Sequence, residues 1–270
     1  MIQFTDQDHS YTSLVPDNIS WLSVTTLIHA LTEQFDAPAQ AIKSSKNKKS
    51  KWYGLTPEEI QKAWIGENNR STELGTWYHN KKEQELYTTP GLQVHAPIIS
   101  NGCKVASDQR LQEGIYPEHL IYLQSAGICG QSDIVEVVGE VLNIRDHKTN
   151  KEIKRKGFTN WEGVTKKMFK PLAHLDDCEF NHYALQLSLY MFMILRHNPH
   201  LTPGKLTIEH VSFETTGEDK YSYPITALDE NKEPIVKGIE IIELPYMKSE
   251  MLTLMNWLKT PANRNSIKKH

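Results

Sequence analysis

Gly130-Gln-Ser-Asp133-Ile-Val-Glu-Val-Val-Gly139-Glu-Val-Leu-Asn-Ile-Arg-Asp146-His-Lys148-Thr149 is the stretch that decides the fold. Two β-branched runs flank Gly139-Glu140, and glycine at the first of two loop positions suits a type II′ hairpin turn. With Val138 and Val141 closing the turn, paired residues have numbers that sum to 279, so Asp133 falls opposite Asp146. Alternation then places Val135, Val137, Leu142 and Ile144 on one face with both aspartates and Lys148. Opposed residues have Cβ atoms roughly 4.5–5.5 Å apart, and like charges so placed repel. A structural hairpin with one capping Asp and one Asp–Lys pair is the plainer reading. The register weighs against it, because it gathers three charged groups at the end of an apolar face. A shift of one residue would send the second aspartate to the opposite face. That charged end suits a divalent cation better than it suits a sheet.

Outward from the hairpin, 270 residues suffice for a substantial core, and no linker, repeat or low-complexity tract divides them. The reading is one α/β domain over 1–270: N-terminal strands and helices to residue 70, a core over 71–258, and a basic tail over 259–270. A net charge of −3 excludes a protein coated in positive charge but not a local basic groove. Cys103, Cys129 and Cys178 are odd in number and lack C-x-x-C spacing, against a disulfide framework or a four-cysteine cluster. No apolar run approaches a membrane span, and no signal-peptide pattern opens the chain, so a soluble cytoplasmic protein is expected.

Ser23 is a credible N-cap for a helix from Val24 through Gln34, whose free N–H groups suit a phosphate, although most such helix starts simply meet solvent. The lysine run from Lys43 to Lys51 leads into Trp52 and Tyr53, a combination suited to single-stranded nucleic acid, although a solvated loop is the simpler account. Thr56-Pro-Glu-Glu59 starts a helix expected to end near Gly66, and a second is expected from about Ser71. The second carries Gly75-Thr-x-x-His79-x-x-x-Glu83, with His79 and Glu83 on one face. His119 to Gln124 reads as a strand leading into the hairpin. After Lys148 the loop is basic, with Lys151, Lys154, Arg155, Lys156, Lys166, Lys167 and Lys170, and suits a polyanionic backbone. His174 to His182 lacks familiar zinc spacing and reads as a helix start. The next helix sets Gln186 and Tyr190 four apart. Strands follow at Leu206–Phe213 and 234–244, then a last helix from Pro245, and a polar tail that frays from Thr260.

These motifs, in this order, resemble the RecB-like branch of the PD-(D/E)XK nuclease superfamily. The resemblance spans residues 75 to 190, and the Ser-Val-Thr-Thr start at Ser23 is similar to phage and bacterial exonuclease members. It implies a central mixed sheet flanked by helices around a restriction-endonuclease-like αβββαβ core, and a metal-dependent DNA exonuclease of phage or bacterial recombination, repair or replication. By that resemblance His79, Asp133, Asp146 and the His147 carbonyl would hold Mg²⁺ or Mn²⁺, and Lys148 would orient or deprotonate the attacking water. Glu83 would reach a second metal or brace the site, and Gln186 and Tyr190 would lie near the active site and the DNA backbone. Ser23, Lys151, Lys154 and Lys156 would contact DNA that has ends. The resemblance leaves room for a single-strand annealing or helicase partner and for a homo-oligomer. It places the protein in the cytoplasm, the host's if phage-encoded. Ser132 replaces the Pro of the superfamily name, and no Walker motif is present, so any motor would be a separate protein. An endonuclease of the same fold and a non-catalytic DNA-binding scaffold are the alternatives.

Overall fold

The Gly139-Glu140 turn forms, with Gly139 at φ +57°, and joins β7 (Ile128–Val138) to β8 (Val141–Lys148) in antiparallel pairing. The register runs from Val138 with Val141 to Ile134 with Arg145, as the turn chemistry predicts. The computed structural model that shows this describes residues 1–267.

Before the hairpin come β1 (Ile2–Thr5), β2 (Ser10–Ser13), β3 (Leu22–Ser23), α1 (Val24–His29), α2 (Ala37–Lys46), α3 (Pro57–Thr88), β4 (Ile98–Ser100), β5 (Cys103–Ala106) and β6 (Gly114–Leu123). After it come α4 (Glu179–His197), β9 (Thr202–Phe213), β10 (Thr215–Glu218), β11 (Pro224–Thr226), β12 (Val236–Leu244), α5 (Lys248–Leu258) and α6 (Pro261–Ile267). The architecture is α/β. A six-stranded mixed sheet runs β12-β9-β8-β7-β3, with β6 also on β7, and its β8–β9 and β3–β7 pairs are parallel. No helix among the described residues is long and apolar enough to cross a membrane.

Three expectations need correcting. The segment from Thr56 is one helix of 32 residues rather than two, because the reciprocal Thr56–Glu59 capping box starts it and neither Gly66 nor Gly75 stops it. Each glycine costs a helix only about 1 kcal/mol relative to alanine, which the rest of the helix absorbs. The helix after Ser23 ends at His29 rather than Gln34. Residues 261–267 are helical rather than frayed, anchored by buried Ile267 and by Arg264, which donates to the carbonyls of Ala126, Ser20 and Gly127. The last three residues of the expected tail lie outside the described residues.

Alternation fixes which side of the sheet each helix takes. Val135, Val137, Leu142, Ile144, Leu206 and Ile208 pack in one core with the buried residues of α1, α4 and α5. On the opposite face, Tyr78 of α3 meets His147 and Phe213 edge-on. A four-stranded sheet of β2-β1-β5-β4 sits over the β6–β7 end, where Ile2, Phe4 and Ala106 pack with Leu120, Tyr122 and Cys129.

Along β7 this order changes hands. Cys129 belongs to the core under the small sheet, while Val135 and Val137, of the same odd parity, belong to the main core. The alternation therefore slips by one residue between them. Glu118 lies across from Asp133 on β6 and has a left-handed backbone, φ +49°, and the pairing from Gly114–Val137 to Leu123–Ile128 skips it.

Candidate active site

Beta-6 covers β7 along its whole length, so β3 and β8 must share the other edge. Strand β3 pairs only with Ile128 and Cys129, and the β8 ladder stops at Ile134. Residues 130–133 form the notch between them. This break in the sheet edge is where the expected motifs converge.

Asp133 does not oppose Asp146 on one face, as the extrapolated register predicts. Past Ile134 the strands separate, and Asp133 Oδ2 accepts the His147 N–H at 2.8 Å instead. The slip at Glu118 and Asp133 is the physical reason, because it re-aims the carboxylate toward α3. There His79 Nδ1 stands 3.4 Å from Asp133 Oδ2, and His79 Nε2 stands 3.2 Å from the His147 carbonyl oxygen. His79, Glu118 and Asp133 each offer a ligand atom within 4.8 Å of the others. Glu118 is the residue that reading the chain missed. Its one hint, a lone acid just before the apolar run from His119 to Leu123, becomes a signal only once β6 is paired with β7 and Glu118 falls opposite Asp133.

Asp146 lies outside that group. It is buried on the α4 face and forms an ion pair with Lys148, although the contact lacks hydrogen-bond alignment. Burial, with Asp133 adding to it, pushes the Asp146 carboxyl above the ordinary carboxylate range, and Lys148 opposes the shift. Burial also works against the Lys148 ammonium, but Asp146 and then Asp133 outweigh it and hold Lys148 above its ordinary value. Lys148 is therefore a protonated donor in this arrangement rather than a free base. Its Nζ stands 5.1 Å over the ring of Tyr183 on α4.

Glu118 is pushed up to about 7 by burial, then by Asp133, with Lys104 opposing from 3.5 Å and Glu83 adding to the rise. The Gln131 side chain also donates to it. Glu83 lines the same cleft of about 430 Å³ as His79, Glu118 and Asp133, but its own hydrogen bond is from Tyr87 at 3.2 Å. Gln186 donates to the Tyr190 hydroxyl at 3.3 Å, and Tyr190 is buried against Gly130. A Cβ at position 130 would sit 2.7 Å from Tyr190 Cε1, so glycine there allows α4 to approach the notch. Gly75 is close to the Thr149 hydroxyl in the same way, 3.3 Å from a built Cβ. The His147 ring lies beside Glu209 at 3.0 Å, and that contact holds Glu209 below the ordinary carboxylate range.

The expected DNA contacts fare unevenly. Ser23 is an N-cap, but its hydroxyl accepts the Thr26 N–H at 3.0 Å and donates to the Thr26 hydroxyl at 2.7 Å. Lys151 pairs with Glu67 at 3.2 Å and Lys154 with Glu152 at 3.2 Å, whereas Lys156 has no ion pair among the described residues. Trp52 is not a free stacking surface. It is buried in a small core with Ala41, Ile60 and Ala63, edged by Tyr221 and Tyr223, and Lys51 caps it by donating to the Tyr221 carbonyl.

A divalent cation fits the donors at the notch. Two ligands about 2.1 Å from Mg²⁺ and at right angles stand about 3 Å apart, and the 3.4 Å between His79 Nδ1 and Asp133 Oδ2 is near that value, whereas the His147 carbonyl faces the other ring nitrogen, Nε2. An imidazole with carboxylate and carbonyl oxygens is a hard, oxygen-rich set of the kind that suits Mg²⁺ and Mn²⁺. Compared with family models, curated proteins and solved structures, the chain matches none.

Proposed function

We propose that the protein is a metal-dependent deoxyribonuclease of the PD-(D/E)XK type that degrades linear DNA from its ends. The observation that carries this reading is the meeting of His79, Asp133 and the His147 carbonyl beside the buried Asp146–Lys148 pair. Five residues drawn from α3, β7 and β8 gather at one break in the sheet edge. The order α3, β6, β7, β8, α4, β9 supports the αβββαβ core of that superfamily, with β4 and β5 as an insertion after the helix.

In this mechanism His79, Asp133, Glu118 and the His147 carbonyl would hold Mg²⁺ or Mn²⁺, with Asp146 beside them in its pair with Lys148. The bound cation would supply positive charge against the phosphoryl oxygens and acidify water in the site. The chain's own residues do the rest. Asp146 and Asp133 hold the Lys148 ammonium above its ordinary value, which favours its orienting the attacking water or the phosphate by donation and charge. Asp146 sets its position, and the Tyr183 ring supports the ammonium from below. The Asp133 bond to the His147 N–H holds the adjoining peptide, and hence the carbonyl that faces His79. Tyr190, packed on Gly130 and tied to Gln186, fixes the width of the notch.

End-labelled linear DNA and a closed circle, each with Mg²⁺, Mn²⁺ or EDTA, test this function. Metal-dependent loss of the linear DNA alone is expected. Cutting of the circle would make the protein an endonuclease, and inertness toward both substrates in every condition would refute hydrolysis.

A further inference from the structure

Residues 157–167 form an ordered turn between β8 and α4. Asn160 Oδ1 accepts the N–H groups of Glu162 and Val164 at 3.0 and 2.9 Å, Gly163 takes φ +81°, and Thr159 bridges to Thr165. The base is clamped where Gly157 N–H donates to Asp176 at 3.1 Å and Lys166 pairs with Asp177 at 2.9 Å. Yet this well-held turn carries Trp161 at 92% exposure and Phe158 at 74%, with Val164 also exposed. A turn this well bonded does not need to leave two aromatic rings in water for its own stability.

The surrounding charge indicates what the rings meet. Arg155, Lys156 and Lys170 have no ion-pair partner among the described residues, against Glu162 as the unpaired acid of the turn, which leaves an excess of positive charge, and Arg155 stacks at 4.8 Å on Phe180. The location is also specific. Asp177 at the base contacts His182 of α4 at 2.8 Å, and the next residue, Tyr183, lies beneath Lys148. From Glu179, the first residue of α4, to Tyr183 is just over one helical turn, roughly 6 Å.

We propose that this turn is a stacking platform for unpaired bases of a DNA strand whose backbone runs to Lys148. The identity of the ligand rests on the nuclease reading above. Flat apolar rings beside unneutralised cations complement a nucleotide, which offers a base face and a phosphate together. An apolar protein surface would use the rings and leave the cations without partners.

The test uses the full chain in EDTA, where hydrolysis is suppressed, with a single strand of about 12 nucleotides carrying 2-aminopurine at successive positions. Trp161 is replaced without opening the core, given its exposure. The wild-type chain should quench the probe at a defined position. Trp161→Ala should lose that quenching and bind roughly tenfold more weakly, and Trp161→Phe should keep most of both. If wild-type protein degrades DNA with Mn²⁺ while Trp161→Ala matches it in quenching and affinity, the platform is wrong and the nuclease reading stands. If wild-type protein neither binds the strand nor degrades it, both are overturned. A change in self-association for Trp161→Ala, with DNA binding intact, would assign the rings to a second copy of this chain and overturn the proposal.

Discussion

The two ends of the β7–β8 hairpin are built from one pattern and behave differently. At the turn end the register holds residue by residue, and Val135, Val137, Leu142 and Ile144 are buried in the main core. At the far end the ladder stops, Asp133 turns toward α3, and Asp146 stays on the α4 face beside Lys148. Two aspartates at corresponding positions thus have different surroundings, one lining an open cleft and the other paired and buried. Regular pairing satisfies the backbone and leaves nothing free for chemistry. Where the pairing fails, side chains must satisfy the backbone, and carboxylates, an imidazole and a carbonyl converge.

The largest effect expected is on hydrolysis. Asp133→Ala removes the carboxylate from the open end and should slow DNA hydrolysis on the order of a thousand-fold or more. Thermal unfolding should show only the loss of one hydrogen bond, about 1 kcal/mol. Asp146→Ala should differ, because it leaves Lys148 without its buried partner. Activity and stability should fall together, stability by roughly 3–5 kcal/mol before allowance for the part of Lys148 that reaches water. Equal stability losses for the two variants in denaturant titration would erase the contrast between the aspartates.

At the turn end the order is reversed. Ile144→Ala should lower stability by roughly 2–5 kcal/mol through a cavity, while the folded fraction still hydrolyses DNA. Loss of activity from folded Ile144→Ala protein would show that the two ends are not separable.

Proton competition gives a smaller effect that sharpens the account. With Glu118 pushed up to about 7, a cation must displace its proton below that pH, so Mn²⁺ affinity by calorimetry should weaken about tenfold per pH unit. In EDTA the sign for folding follows from the same shift. The folded value lies above the unfolded value of 4.5, so this contribution to stability is full below about 4.5 and is lost as pH rises through about 7. Glu118→Gln should remove both dependences. The smallest effect is at the turn itself: Gly139→Ala, at φ +57°, should cost about 1–2 kcal/mol with hydrolysis retained.

The sequence showed the hairpin plainly, because Gly139 and two β-branched runs determine a turn and a register locally. The Gln186–Tyr190 pair is also local in origin, needing only one helical spacing on α4. What stayed hidden depends on three-dimensional neighbours. Glu118 joins the site only because β6 returns along β7, and nothing in Pro117-Glu118-His119 announces a left-handed residue. Extrapolating the register past Ile134 failed for the same reason: alternation holds only while the ladder is regular. Trp52 looked like a stacking ring, but its partners Tyr221 and Tyr223 are too distant along the chain to read from sequence.

The claim that the broken end of the hairpin performs the chemistry is tested most directly by nucleotide release from end-labelled linear DNA in Mn²⁺. Wild-type protein is compared with Asp133→Ala and Lys148→Ala, each first shown to be folded. The account predicts release by the wild type and none above background by either variant. Release by folded Asp133→Ala at the wild-type rate would contradict it.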